Sequence, residues 1–473
     1  MQQADSEQMF PDMLENRQKT ISEANGRLVT THRLVMLGQE MFFTSDPENL
    51  KAMLATQFED FHLGPVRRGT MLPSLGDGIF VQDGKAWEHS RAMLRPNFVR
   101  EQISDLELEE THIQELLQVM PVQSDGWTAM TDIQTLFFRL TLDSACEFLF
   151  GESVGSQLFE AGLSSGSQEP RVNFGLHFDR AMMHVAKRFR YGDLYWLHNP
   201  SEFRSDNQML NDFISHYVDL ALERPIDKKR GQDGLQEEGK KKYVFLEALV
   251  EQNRNPKELR AQLLNILLAG RDTTASLLSW FFHQLLRNPE VFTKLRATIL
   301  ETFGTYENPH DMTFASLKGC QYLQHCLNET LRVRTVVPGN LRRSNKATTL
   351  PRGGGPDGTA PVYIRPNTDV TYSIHVMMRR EDIWGPDAKK FKPERWVGRR
   401  PGWEFLPFNG GPRICIGQQF AVTEASYVVV RLLQRFDKIE TTAEELLGEV
   451  RSAVSLTSCP ARKVKLRLRE ARD

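Results

Sequence analysis

Phe408-Asn409-Gly410-Gly411-Pro412-Arg413-Ile414-Cys415-Ile416-Gly417 is a glycine-rich loop that runs into a helical pattern beginning near Gln418. Glycine admits turns that other residues resist, and it lets a flat group approach the main chain. A thiolate just ahead of a helix meets unpaired N–H groups and the positive end of the helix dipole, which stabilises it as a metal ligand. Arg413 can pair with a carboxylate on a group bound there. A buried structural cysteine in a glycine-rich turn is the commoner fate of a lone thiol. Against that stands the full pattern F-x-x-G-x-R-x-C-x-G, formed by Phe408, Gly411, Arg413, Cys415 and Gly417. Chance produces it on the order of once in ten thousand chains of this size.

The composition of the whole chain is that of a soluble globular protein and argues against several function classes. Its 473 residues, 40% hydrophobic and 25% charged, are enough for a substantial core. A formal net charge of −2 gives no basic excess for neutralising phosphates, so a general nucleic-acid binder is excluded. The cysteines Cys146, Cys320, Cys326, Cys415 and Cys459 are odd in number and form no C-x-x-C pair. They suggest neither a disulfide framework nor a zinc ribbon, and point to a reducing compartment. Met1–Thr20 is polar without a signal-peptide core, and the most apolar stretch, Leu263–Leu286, is interrupted by Arg271-Asp272. No transmembrane segment is expected.

Short strands are expected at Arg27–Val35 and Met41–Thr44 around Gly38, then a helix begun by Ser45-Asp46-Pro47. From Ser90 to about Ala221 amphipathic patterns predict mainly helix, and the charged stretch Asp227–Lys242 reads as a solvated loop. The clearest helix starts at Asn255, an N-cap followed by Pro256 and by Glu258 at the capping-box position, and ends at Arg287-Asn288-Pro289. It is apolar nearly all round and is expected to be buried. Strands at Pro361–Ile364 and Asp369–Ser373 should follow a Gly353-Gly354-Gly355 turn, and a last helix should cover about Gln418–Phe436. The fold expected is mainly α with a small β-sheet region at one side.

Three further patterns bear on chemistry. Glu329-Thr330-Leu331-Arg332 places an ion pair at i, i+3 on a helix; about two such matches arise by chance here, and a surface pair is the ordinary reading. Trp87 and Arg91 stand one helical turn apart, which also suits an ordinary helix surface. Ala269-Gly270-Arg271-Asp272-Thr273-Thr274 puts glycine and paired threonines mid-helix, where they are poor helix formers. Asp272 as the N-cap of a new helix is the alternative there.

Taken together these residues resemble the cytochrome P450 superfamily, in which a cysteine thiolate holds a haem iron. The resemblance covers most of the chain from about Asp46. It implies a single haem domain spanning 1–473, with about the first 25 residues a polar lead-in. Cys415 falls on the axial ligand of haem b, with Phe408, Gly411, Arg413 and Gly417 around it. Trp87 and Arg91 match the family's W-x-x-x-R, and their N–H groups can bond a haem propionate. Arg342 is a further propionate candidate, with Arg343 beside it as the alternative. Glu329 and Arg332, lying upstream of Pro393-Glu394-Arg395-Trp396, resemble with Arg395 the structural triad that locks the core around the cysteine loop. The small residues of the 269–274 motif leave a groove for dioxygen in this family, Asp272 and Thr273 relay protons, and Thr274 gives support.

The likeness is greatest to the fungal alkane and fatty-acid hydroxylase branch. It is carried by Asp46-Pro47-Glu48-Asn49 with Ala52–Phe58, by Ser90–Pro96, and by Leu350-Pro351-Arg352-Gly353-Gly354-Gly355-Pro356-Asp357-Gly358. It implies hydroxylation of a long-chain aliphatic compound or fatty acid, with dioxygen and electrons from NADPH through a separate diflavin reductase. A monomer in peripheral contact with the cytosolic side of the endoplasmic reticulum membrane is also implied. Members of the branch usually carry an N-terminal membrane anchor, and none is expected within this sequence. The branch also reads Leu-Tyr/His-Pro where Val333-Arg334-Thr335 stands here, in a segment that approaches substrate. A polyketide or terpenoid substrate is therefore the rival reading. A haem-thiolate isomerase or a haem sensor fits less well, because both the thiolate and Asp272-Thr273 are retained.

Overall fold

The computed structural model describes residues 10–36, 38–99, 106–163, 174–224 and 243–472, and the expected loop Asp227–Lys242 lies outside them. Helices dominate, and the chain gathers into two compact units. One takes the residues up to 64 together with 120–137 and 273 onward; the other takes 65–119 and 138–272.

Every described strand belongs to the first unit. Its main sheet has five strands, in the order Thr31–Met36, Gln39–Thr44, Asp369–Tyr372, Asn340–Ser344 and Phe61–His62. The hairpin around Gly38 is present, but its first strand begins at Thr31 rather than Arg27. Thr31 faces Thr44, and the partner strand stops there because Ser45 and Asp46 turn the chain into the helix Pro47–Lys51. Asp46 caps that helix as expected, accepting from Glu48 N at 3.0 Å. Instead of one small sheet there are four among the described residues, the others having two, three and two strands.

Asn49 ties together two stretches that are far apart in sequence. Its amide donates to Thr31 Oγ1 at 2.8 Å and to Arg352 O at 2.9 Å, and its carbonyl accepts from Arg352 N at 2.9 Å. Gly353 completes the knot: its φ is +124°, and a Cβ there would stand 2.6 Å from Thr31 Cβ. The expected glycine turn is therefore displaced. Gly353 and Gly354 end the strand Thr348–Gly354, and the turn runs from Gly355 to Gly358.

The second unit is built of helices, chiefly Gly84–Leu94, Leu106–Gln118, Phe174–Arg190 and Ser201–Glu223, with the helix Ile133–Phe150 entering it at Phe138. Fully buried His112 lies 3.1 Å from Glu115 Oε2 and 2.7 Å from Glu147 Oε2. Burial disfavours its charged form, but Glu115, Glu147 and Asp143 outweigh burial and lift its pKa to about 10. That lies above the unfolded value of about 6.5, so the stabilisation is fully present below about pH 6.5 and is lost as pH rises through about 10. Thermal melts at pH 6, 8 and 10 should fall steadily for the native chain. They should start lower and change less for His112→Gln; parallel alkaline losses in both would remove the histidinium from this role.

The helix Pro256–Arg287 leads from the second unit into the first. Its 32 residues span about 48 Å. Asn255 caps it, accepting from Lys257 N at 3.1 Å and Glu258 N at 3.4 Å, and the chain breaks at Asn288 as predicted. Glu258 does not close a capping box: its carboxylate lies 3.0 Å from His89 Nε2 on a neighbouring helix. Among the described residues no helix is long and apolar enough to cross a membrane.

Candidate functional site

The cysteine loop closes on itself before its helix begins. Gly411–Arg413 forms one tight turn, Ile414 N bonds Gly411 O at 3.0 Å, and Cys415 N reaches back to Phe408 O at 3.0 Å. Gly411 is obligatory here, because its φ is +68° and a Cβ would stand 1.7 Å from Leu54 O. The expectation that glycines provide unusual turns holds for Gly411 and fails for two others. Gly410 is extended, with φ −151°, and is required by the nearness of Trp403, while Gly417, with φ −87°, is simply the N-cap of Gln418–Arg435. Asn409 supplies the second left-handed turn, with φ +62°.

Cys415 is the exposed cysteine of the five. Cys146, Cys320 and Cys326 are buried, and burial pushes each of their thiols up, so they stay protonated. The exposed thiol is thus the one at the head of the last helix.

The alternation of the strand Asn340–Ser344 separates the two neighbouring arginines. Arg343 pairs with Asp369, Nε to Oδ1 at 2.6 Å and Nη2 to Oδ2 at 2.9 Å. Arg342 points to the opposite face and is 3% exposed. Its Nη1 reaches only neutral acceptors, Leu341 O at 2.8 Å and Asn340 Oδ1 at 3.4 Å. No carboxylate pairs with it among the described residues, although a buried cation is costly without an anionic partner. In the second unit, Trp87 is buried and the Arg91 guanidinium stands 5.8 Å from its ring centroid.

Glu329 and Arg332 are not a surface pair; both are fully buried. One carboxylate gathers five donors. Oε1 accepts from Arg332 Nη2 at 2.9 Å, Lys392 N at 3.0 Å and Arg395 Nε at 3.3 Å, and Oε2 accepts from Arg332 Nε at 2.8 Å and Trp396 Nε1 at 3.0 Å. Arg332 Nη1 also donates to Met378 O and Ala388 O, at 2.8 and 2.6 Å. The Trp396 indole is thus a fourth member that the three-charge motif did not reveal.

The 269–274 segment stays helical throughout, so Asp272 does not start a new helix. Ala269, Gly270 and Thr273 form a partly open face, while Arg271, Asp272 and Thr274 are buried. A mid-helix glycine costs about 1 kcal/mol relative to alanine. Packing does not require it: a Cβ on Gly270 would meet Ala145 Cβ at an ordinary 3.8 Å, with nothing else within 4 Å among the described residues. Asp272 does not turn to the Thr273 hydroxyl, since adjacent helix residues diverge. Its Oδ1 lies 2.9 Å from Arg271 Nη1, and the same Nη1 lies 2.5 Å from Asp179 Oδ1. Burial, helped by Asp179 and opposed by Arg271, pushes the Asp272 carboxyl up to about 6. Sequence reading gave Arg271 and Asp179 no role. The available signal was a charged residue kept within an otherwise apolar helix.

Comparison with known proteins settles the class. A family model described as Cytochrome P450 matches residues 8–458. The chain belongs to the cytochrome P450 family. It is similar to cytochrome P450 monooxygenase g430 of Fusarium sp, 50% identical, with 98% of this chain and 80% of that protein covered. It is 47% identical to cytochrome P450 52A12 of Debaryomyces hansenii, over 91% of this chain and 82% of that one. It is 48% identical to cytochrome P450 52A1 of Candida tropicalis, over 86% and 74%. This P450 is accordingly a monooxygenase of a family that binds haem through a cysteine thiolate. At the departure from the branch pattern, the Arg334 guanidinium of this P450 lies 5.1 Å from the Trp280 ring centroid.

Proposed function

We propose that this P450 hydroxylates a long-chain aliphatic compound or fatty acid at haem b held by the Cys415 thiolate. Electrons come from NADPH through a separate diflavin reductase that docks on the cysteine-loop side. The accessible thiol above a loop that Gly411 fixes against Leu54 is the observation that most supports this cofactor assignment. The donor set fits the group, since Arg342 offers a buried guanidinium without a carboxylate partner, as an anionic propionate requires. Arg413, Trp87 and Arg91 supply further donors of that kind. When bound, the haem supplies the oxygen-activating iron, and the thiolate's electron donation favours O–O cleavage.

The chain's own contribution is to hold the cofactor and move protons. Glu329, Arg332, Arg395 and Trp396 lock the segments that precede the cysteine loop. Thr273 presents a hydroxyl on the open face beside the glycine gap, and Asp272 is the buried acid that replenishes its proton. Exposed Tyr191, Leu194, Trp196 and Leu197, each more than two-fifths accessible, suit peripheral contact with the cytosolic face of the endoplasmic reticulum by a monomer.

The aliphatic substrate is supported by the branch-specific stretches at 46–49 and 350–358. The same chemistry on a polyketide or terpenoid is favoured instead by Val333-Arg334-Thr335. Ferric spin-state titrations with alkanes, fatty acids and cyclic metabolites separate the two: a low-spin to high-spin shift with fatty acids alone supports the first, and with cyclic compounds alone the second.

Thr273→Ala tests the proton relay. The variant should keep cofactor and substrate binding and still consume NADPH with its reductase, but release peroxide in place of most of the hydroxylated product. General acid–base groups of this kind contribute about 100-fold or more. Unchanged coupling of NADPH to product would reduce the motif to packing.

A further inference from the structure

We infer that Arg334 and His283 form a binding site for a small, singly charged oxyanion of the carboxylate type, seated beside the Trp280 ring. None of the residues assigned above to haem binding or proton transfer takes part in it.

Arg334 ends the helix Gln321–Val333, where its backbone N–H bonds Thr330 O at 2.7 Å. Its side chain turns to the helix Pro256–Arg287, and the guanidinium stands 5.1 Å from the Trp280 ring centroid. Arg332, Arg379 and Arg395 each hold a carboxylate. The Arg334 side chain makes no hydrogen bond or ion pair among the described residues, and its Nε is buried without a partner. A ring face attracts the charge but supplies no acceptor for a buried N–H, and such groups are paired as a rule.

His283 supplies a second orphaned donor from the same neighbourhood. Its ring centroid lies 5.4 Å from that of Trp280, at an interplanar angle of 85°. Its Nε2 accepts from Arg287 Nε at 3.2 Å, so the ring proton sits on Nδ1. That Nδ1 is buried and has no partner either. Burial, helped by Arg334 and Arg287, pushes His283 down to about 3, which keeps the ring neutral with this single donor. Two N–H donors without acceptors, one of them on a cation, are the complement of an anion with two oxygens.

Charge decides which anion. Burial and Arg379 lower Arg334 to about 10, against the pull of Asp12 and Glu15, so it is charged at neutral pH. Those two acids, on the helix Phe10–Ala24, are already engaged. Glu15 accepts from Arg379 Nε at 2.9 Å and pairs with Lys389, while Asp12 Oδ1 lies 3.7 Å from Arg379 Nη2 and 3.8 Å from His375 Nε2. Arg287 spends its guanidinium on His283 and on the carbonyls of Glu445, Leu446 and Gly448. Arg379 and Lys389 therefore balance the two acids, and Arg334 is left as one uncompensated positive charge. A carboxylate-type monoanion cancels it. A metal ion does not, although Asp12, Glu15 and His375 stand close enough to share one, because Arg379 and Lys389 already occupy those acids.

The site is open to small solutes. Arg334 as a whole is only partly buried, and His283 forms part of the wall of a crevice shared with Arg287, Glu449, Arg451 and Arg462.

The test melts the full-length haem-loaded protein in chloride and in acetate at equal ionic strength, with inorganic phosphate as a third arm. The native chain should melt higher in acetate than in chloride, by on the order of 1–2 °C, because a ligand that binds only the folded state stabilises it. Arg334→Met should melt no lower than the native chain in chloride, since it removes an unpaired charge, and should not respond to acetate. Arg334→Gln should likewise lose the response, which keeps the test open if the methionine variant fails to fold. His283→Phe should keep a response but need about fivefold more acetate, the loss of one hydrogen bond. No acetate effect on the native chain, or an equal one on Arg334→Met, would overturn the site. A lower melting temperature of Arg334→Met in chloride would overturn it too, by showing that Arg334 already has its partner within the chain. A response to phosphate alone would overturn the choice of a monoanion.

Discussion

Glu329→Ala is expected to remove about 3–5 kcal/mol of stability, and with it the capacity to retain haem. The carboxylate is fully buried and receives five donors from four residues, so its removal leaves the Arg332 cation without its carboxylate and the Trp396 indole without its acceptor, while Arg395 keeps only Asp387 as an anionic partner. Whole domains are stable by only about 5–15 kcal/mol, so a loss of this size leaves a large unfolded fraction at working temperature. Arg332→Ala should do the same from the other side, leaving a buried anion and freeing the carbonyls of Met378 and Ala388. Arg332→Lys should rescue little, because an ammonium cannot reproduce the planar fork. The readouts are the haem-to-protein ratio and the melting temperature. Normal values for both in Glu329→Ala would show that the cluster does not hold the core.

What the sequence made legible was local. The N-caps at Asp46 and Asn255, the break at Asn288 and the start of the last helix near Gln418 were all read from neighbouring residues, and hydrogen bonds within a few positions decide them. The cysteine loop was readable for the same reason, as a run of ten residues with its own chemistry. What escaped reading depends on partners that are distant in sequence. Arg342 and Arg343 could not be told apart until the alternation of their strand set Arg343 against Asp369. Gly411 was read as a turn residue, but its strictest requirement comes from Leu54 O, which only the folded chain brings near. Glu258 satisfied a capping-box pattern yet lies against His89, because a side chain from another helix competes for it. The Asp272–Thr273 pair was read from the family resemblance, and it gave no hint that Asp272 also lies against Arg271 and that Arg271 reaches Asp179.

Replacing Cys415 should have the largest chemical effect of any single substitution. The other four cysteines are buried or partly buried, and burial keeps the Cys146, Cys320 and Cys326 thiols protonated, so none of those three can take over as ligand. Without the thiolate the push of electron density that favours O–O cleavage is gone, and hydroxylation should fall to background even where haem remains bound. Cys320→Ala and Cys326→Ala should cost stability through lost packing but leave the spectrum intact. The decisive measurement is the carbon monoxide difference spectrum of the reduced protein, recorded for the native chain and for Cys415→Ala. The native chain should give the red-shifted Soret band of thiolate-ligated haem and Cys415→Ala should give none; the same band surviving in Cys415→Ala would contradict the assignment of Cys415 as the haem ligand.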